Sequence, residues 1–269
     1  MKVHEYHEGQ RGAPKYKGAL IGVELEVEGE RLFDDPATKA FAAVHDGSLR
    51  GGMEYVLKKP LDHAVALNAC KALFKEMDAR EARTNYSFRT STHVHLNVLD
   101  METSQVMNLI YLYMLVEPMM MNCVAEHRRG NRFCLRFFDS EALSVKFADI
   151  IRDFHRIYHL SQDEYKYSAL NLATLAKYGT VEFRALEGTR DEAKLESWFK
   201  TITNLRSVAL EFENLRQIHE AFIQDPEALI DRVFHEGLVE QAKADGWKQS
   251  VEESYSLSYH MVLVSEGVM

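Results

Sequence analysis

The chain is poor in cysteine, in positive charge and in long apolar runs, and each shortage excludes a class of protein. Its 269 residues hold three cysteines, Cys70, Cys123 and Cys134, an odd number with no CxxC spacing. Neither a disulfide framework nor a cysteine-based zinc site follows from that pattern. Reduced thiols in a cytoplasmic protein are the expectation. The formal net charge is −9, whereas a general nucleic-acid binder needs a basic field, so no nucleic-acid partner is expected. The longest apolar stretch, residues 106–121, is broken by Asn108, Glu117 and Pro118. It is too short and too polar to span a bilayer, so no membrane partner is expected either. Residues 1–10 are polar, with no apolar signal segment. A P-loop of the form GxxxxGK[ST] is also missing, which excludes that route to ATP.

The apolar fraction, 46%, is enough for a sizeable core. Residues 1–17 read as a loose lead-in and 18–269 as one α+β domain, with no repeat or linker and a helical C-terminal third. A strand is expected over about 20–28. Residues 29–51 hold Pro36 and three glycines and read as a loop region. The turn at 47–52 feeds a strand at 53–58. Asp62 caps a helix running to about Arg83, with Val65, Leu67, Leu73, Phe74 and Met77 as its apolar stripe. A strand at 92–98 and a long helix at 103–124 follow, with a kink or an end allowed at Pro118. Another helix covers about 141–155. Segments 167–172 and 180–186 flank Lys177-Tyr178-Gly179 and read as an antiparallel hairpin. Helices are expected at 191–217 and 226–244, while 247–269 carries no clear signal.

What the chain does have is four short stretches that alternate apolar residues with charged or imidazole side chains. They are Val23-Glu24-Leu25-Glu26-Val27-Glu28, Met53-Glu54-Tyr55-Val56-Leu57-Lys58, Thr92-His93-Val94-His95-Leu96-Asn97-Val98 and Val181-Glu182-Phe183-Arg184-Ala185. Side chains alternate across a strand, so each stretch has one oily face and one polar face. Paired in one largely antiparallel sheet, they would make an oily back packed on helices and an open front of carboxylates and imidazoles. Crowded carboxylates repel unless cations sit among them, which points to a metal site. Glu24 and Glu26 face the same way and suit adjacent metals, Glu54 approaches from a second strand, and His93 with Glu182 completes a second site. Oxygen ligands with an imidazole suit Mg²⁺ or Mn²⁺. Arg184 shares the face of Glu182, and its planar fork suits phosphate.

Gly22-Val-Glu-Leu-Glu, Asp46-Gly-Ser-Leu with Glu54 after it, His93-Val-His95 and Val181-Glu-Phe-Arg184 occur in that order. The set resembles the glutamine synthetase and glutamate–cysteine ligase superfamily of carboxylate–amine ligases. With Leu170-Asn171-Leu172 and Glu187-Gly-Thr added, it looks most like the amidoligase family of phages, bacteria and fungi. The resemblance spans roughly residues 22–198. It implies a glutamine-synthetase-like catalytic domain that uses ATP and Mg²⁺ or Mn²⁺ to join an acid and an amine through an acyl phosphate. The partners implied are ATP and an amino acid, peptide or protein side chain. Residue by residue, it implies Glu24, Glu26, Asp46, Glu54, His93 and Glu182 as metal ligands, and His95 near the nucleotide. Arg184 would contact phosphate, and Arg128 and Arg132 would bind phosphate or the substrate carboxylate. Arg184, Glu182 and Glu54 are the expected catalytic residues. Cys134 has no flanking base and is not read as a nucleophile.

Each piece alone has a plainer reading. A single ExE is commonly surface charge, and a lone strand histidine is commonly structural. Glu28 reads as a solvated strand end, and His45, His63, His155 and His159 as structural or solvated. Two rival functions share the pattern: a small-molecule phosphotransferase on the same architecture, and a nucleotide- or metal-binding protein without turnover.

Overall fold

A computed structural model describes residues 1–5, 16–137, 139–162, 166–244 and 246–267. Residues 6–15 of the expected lead-in therefore lie outside the described residues. Val3, just before them, is fully buried, and its N–H donates to the Met101 carbonyl at 3.0 Å.

Strands β1 (Ile21–Glu30), β2 (Phe41–Val44), β3 (Gly52–Leu57), β4 (Arg83–Asn85), β5 (Thr92–Asn97), β6 (Leu170–Asn171) and β7 (Thr180–Phe183) form one open sheet. The order is β2-β3-β1-β5-β7-β6, and β4 pairs with the far end of β1. All of these pairings are antiparallel. The register follows from the alternation. On the back, Leu25 faces Tyr55, Val23 faces Val94, and Val94 faces Phe183. On the front, Glu26 faces Glu54, Glu24 faces His93, and His95 faces Glu182. A slip of one residue would drive the carboxylates into the core, so the pattern fixes the pairing.

The back of the sheet packs against helices in a single hydrophobic core. In chain order the helices are α1 (His63–Ala79), α2 (Thr103–Asn122), α3 (Glu141–Ile150), the short α4 (Thr174–Tyr178), α5 (Glu192–Ala209), α6 (Leu215–Gln224), α7 (Pro226–Val233), α8 (Glu236–Ala242) and α9 (Trp247–Ser265), the later ones packing on other helices. No helix among the described residues is long and apolar enough to cross a membrane. Asp62 caps α1 by accepting from the Ala64 N–H at 2.9 Å. The inward face of α1 is Ala66, Leu67, Cys70, Leu73, Phe74 and Met77. Val65, expected in that stripe, is 51% exposed, because the small Ala66 and Cys70 fit closest to the core.

Several expected boundaries move. The loop expected at 29–51 contains β2, and the expected end of α1 contributes β4 instead. The strand expected at 167–172 shrinks to β6, and the turn before β7 is the helical α4. Gly179 ends α4 at φ +68°, where a Cβ would lie 2.2 Å from Leu99 Cδ2, so glycine is required there. Helix α2 continues through Pro118, and α3 stops at Ile150. The helix expected at 191–217 breaks before Asn214, which caps α6. The one expected at 226–244 breaks at His235, which caps α8. The unassigned tail is α9. Its buried face includes Ser254 and Ser258 beside Met261 and Val262, so small polar residues stand where a hydrophobic pattern would have marked the helix.

Among the described residues, one buried acid lies outside the sheet. Glu117 on α2 accepts from the Tyr113 hydroxyl at 2.9 Å and from the Phe137 N–H at 2.7 Å. Burial pushes its carboxyl up from 4.5 to about 8, against the pull of those bonds. Between those values the folded chain keeps a proton that the unfolded chain releases, so this group's contribution to stability falls as pH rises. Glu117→Gln should remove that slope, which is at most about 1.4 kcal/mol per pH unit. In denaturant titrations from pH 5 to 8 the variant should gain on the native protein as pH rises. A difference that stays flat across the window would contradict the assignment.

Candidate active site

The floor of the site is the front of β1, β3, β5 and β7. His93 lies at its centre, 3% exposed. Its Nδ1 is 3.2 Å from Glu24 Oε2 and 3.3 Å from Glu182 Oε1, and its Nε2 is 2.7 Å from Ser91 Oγ. The Ser91 hydroxyl also donates to Glu26. His95 Nε2 is 3.1 Å from Glu24 Oε1, and its Nδ1 is 3.2 Å from Thr180 Oγ1. Glu182 accepts from Asn171 on one oxygen and from Arg184 Nη1, at 2.6 Å, on the other. Two groups, Glu24–Glu54–His93 and Glu24–His95–Glu182, each offer three ligand atoms within 4.8 Å of one another.

The electrostatics show what this crowding costs. Burial acts to raise the Glu24 carboxyl, but bonds and charge from His93 and His95 outweigh it and hold Glu24 well below the usual range. Burial likewise opposes ionisation of Glu182, yet the charges of His93, Arg184 and His95 lower it. His95 is raised: burial opposes its charge, but the Glu24 bond and the Glu182 charge prevail. For Glu54 the balance goes the other way. Burial, then the Glu24 charge and bond, then Glu26 and Asp46, push it from 4.5 to about 8. Glu54 faces Glu26 directly across the ladder, and like charges so placed repel. The cluster therefore holds a proton where a cation would serve.

Above the floor opens a cleft of about 410 Å³, lined by Glu24, Glu26, Asp46, His95, Glu182 and Arg184 among others. Arg89, Lys166 and Lys177 add positive charge to its walls, and Phe133, Tyr167 and Tyr178 add rings. Two guanidinium nitrogens of this lining, Arg89 Nε and Arg184 Nε, are buried without a hydrogen-bond acceptor. Buried donors are normally paired, so each marks a place where an acceptor belongs.

The structure thus brings Glu24, Glu26, Glu54, His93, His95, Glu182 and Arg184 together on one face. Asp46 joins them from the turn after β2, where its Oδ1 also accepts from the Ser48 N–H at 2.7 Å. Arg128 and Arg132 are not among the cleft lining. Arg128 is 1% exposed, and its Nη2 and Nε donate to the carbonyls of Arg184 at 2.6 Å and Ala185 at 3.2 Å. It braces the chain that carries Arg184. Arg132 lies over the Phe133 ring, 4.9 Å from the centroid. Glu28 is not the solvated strand end expected. It is 6% exposed and accepts from the Arg50 N–H at 2.8 Å, because the turn at 47–52 folds over it. Arg89, Ser91 and Asn171 were not legible as site residues. Arg89 sits in a loop with no periodicity, and the other two are uncharged.

A carboxylate and imidazole floor under guanidinium walls, on an open antiparallel sheet, defines a candidate metal-dependent enzyme centre. Residues 39–205 match the family model described as "Putative amidoligase enzyme". That span is more than half of the chain, and the chain belongs to this family. The description indicates ligase-type chemistry, which acts on a carboxylate and an amine. No curated protein matches the chain. The matched span begins after β1, so Glu24 and Glu26 lie outside it, while Asp46, Glu54, His93, His95, Glu182 and Arg184 lie within it.

Proposed function

We propose that the chain is an ATP-dependent carboxylate–amine ligase working through an acyl phosphate. Residues 18–269 would form one catalytic domain of glutamine-synthetase-like architecture. One observation carries the reading: the cleft that holds the acidic floor also holds two buried guanidinium donors lacking acceptors. A site that gathers carboxylates and guanidiniums with donors to spare suits a ligand of metal ions and phosphate oxygens together.

The donor set fits Mg²⁺ or Mn²⁺, with Glu24, Glu54 and His93 as one ligand group and Glu24, His95 and Glu182 as another. Bound ions would neutralise phosphoryl charge as it moves. Glu26 and Asp46, which line the same cleft, would join them. Arg184 and Arg89 hold phosphoryl oxygens and orient them for in-line attack. An oxygen of the acid substrate attacks the γ-phosphorus, and ADP leaves. The amine nitrogen then attacks the acyl carbon, the bond to phosphate breaks, and the nitrogen gives up a proton. All three cysteines are free and buried, which suits a reducing compartment, and we place the enzyme in the cytoplasm.

The test is a screen of acids and amines with Mg·ATP for release of ADP and phosphate. Release should require both an acid and an amine. A phosphotransferase would form ADP with no free phosphate, and a protein without turnover would form neither. Either result would overturn the reading.

A further inference from the structure

The acidic front of β1 continues past the cleft. Two residues beyond Glu26, about 7 Å along the strand, Glu28 enters a second cavity of about 450 Å³. Glu30, Arg50, Asn85, Phe88 and Arg89 also line it. Arg89 lines both spaces. Its Nη1 donates to the Ser48 carbonyl at 2.8 Å, so it forms the wall between them.

The charges in this second cavity are mixed. Glu28 is a nearly buried carboxylate at the end closer to Glu26, and Glu30 stands further out, 3.4 Å from Arg83. Against them stand the exposed Arg50 and the half-buried Arg89. The Phe88 ring is exposed and packs under the Arg89 guanidinium at 5.4 Å. A polyphosphate would meet Glu28 and Glu30, and a bare metal ion or polyamine would meet two guanidiniums. A small zwitterion meets neither conflict, and the volume suits one of amino-acid size.

We infer that this second cavity binds the amine-donating substrate as a zwitterionic amino acid. Its ammonium group lies on Glu28 and its carboxylate on Arg50, away from the wall that Arg89 forms. The nitrogen is thereby held at the end nearest the phosphate cleft. The role as amine donor rests on the ligase reading, whereas the binding itself does not.

The test is a titration of the full-length, ¹⁵N-labelled chain with each standard amino acid, followed by NMR. The backbone amides of Gly29 and Gly51 and the side-chain amide of Asn85 report on the cavity. At least one amino acid should shift all three. Its N-acetyl derivative, lacking the ammonium, and its α-amide derivative, lacking the carboxylate, should not. Arg50→Ala should weaken binding by about tenfold or more, with the spectrum otherwise native and the response to Mg·ATP intact. Glu28→Gln should weaken it on the ammonium side. The inference is overturned if no amino acid moves the three reporters, if either derivative binds as well as its parent, or if Arg50→Ala has no effect. Amino-acid shifts at these reporters in a protein that never cleaves ATP would sink the ligase reading and leave the zwitterion site standing.

Discussion

Replacing Arg184 with alanine is expected to lower acid- and amine-dependent turnover by about 10²–10³-fold, the loss typical of removing one donor aimed at developing charge. Arg184 is held on both sides. Its Nη1 pairs with Glu182 at 2.6 Å, and its main-chain carbonyl accepts from Arg128 at 2.6 Å. Its Nε is buried without an acceptor. A lysine would keep the charge but not the planar fork, so Arg184→Lys should recover only part of the rate. Steady-state kinetics with ATP, acid and amine each varied would check this, alongside melting temperatures to confirm folding. A well-folded Arg184→Ala protein within a few-fold of the native rate would remove Arg184 from the chemistry.

Adding Mg²⁺ or Mn²⁺ with a non-hydrolysable ATP analogue is expected to raise the melting temperature by about 5–10 °C at ligand well above its dissociation constant. The gain arises because the cluster's carboxylates repel one another without a cation: Glu54 is pushed to about 8 by burial and by Glu24, Glu26 and Asp46. Between 4.5 and about 8 the folded, metal-free chain keeps a proton there that the unfolded chain has released. That contribution to stability is therefore lost as pH rises through the window. Metal binding replaces the proton, so the gain on adding metal should be larger at pH 8 than at pH 6. Glu182→Ala or Glu26→Ala should remove most of the gain. Scanning fluorimetry with and without metal reads the effect directly, and an undiminished response in both variants would contradict the assigned ligands.

The site's core was legible because its chemistry repeats every second residue. Glu24, Glu26, His95, Glu182 and Arg184 each sit between apolar residues that the core claims, and His93 between the buried Thr92 and Val94, so one alternation marks both the strand and its functional face. Elements without that contrast were not legible. Phe41-Ala42-Ala43-Val44 is short and rich in alanine, a poor strand former, and Arg83-Thr84-Asn85 is wholly polar. Both are strands only because β3 and β1 offer them edges to pair with. Helix α9 hides its inner face behind Ser254 and Ser258. Arg89 and Glu28 depend on contacts made over distance: Arg89 reaches Ser48, and Glu28 is covered by Arg50. No local pattern encodes such contacts. Arg128 shows the converse, since an arginine in a conspicuous Arg-rich turn serves the backbone of Arg184.

In the proposed reaction a carboxylate oxygen of the substrate attacks phosphorus, which turnover with a carboxyl-¹⁸O-labelled acid, an amine and Mg·ATP would reveal. One labelled oxygen should appear in the released phosphate, with ADP as the nucleotide product. Phosphate free of label, or release of AMP and pyrophosphate, would contradict that reaction.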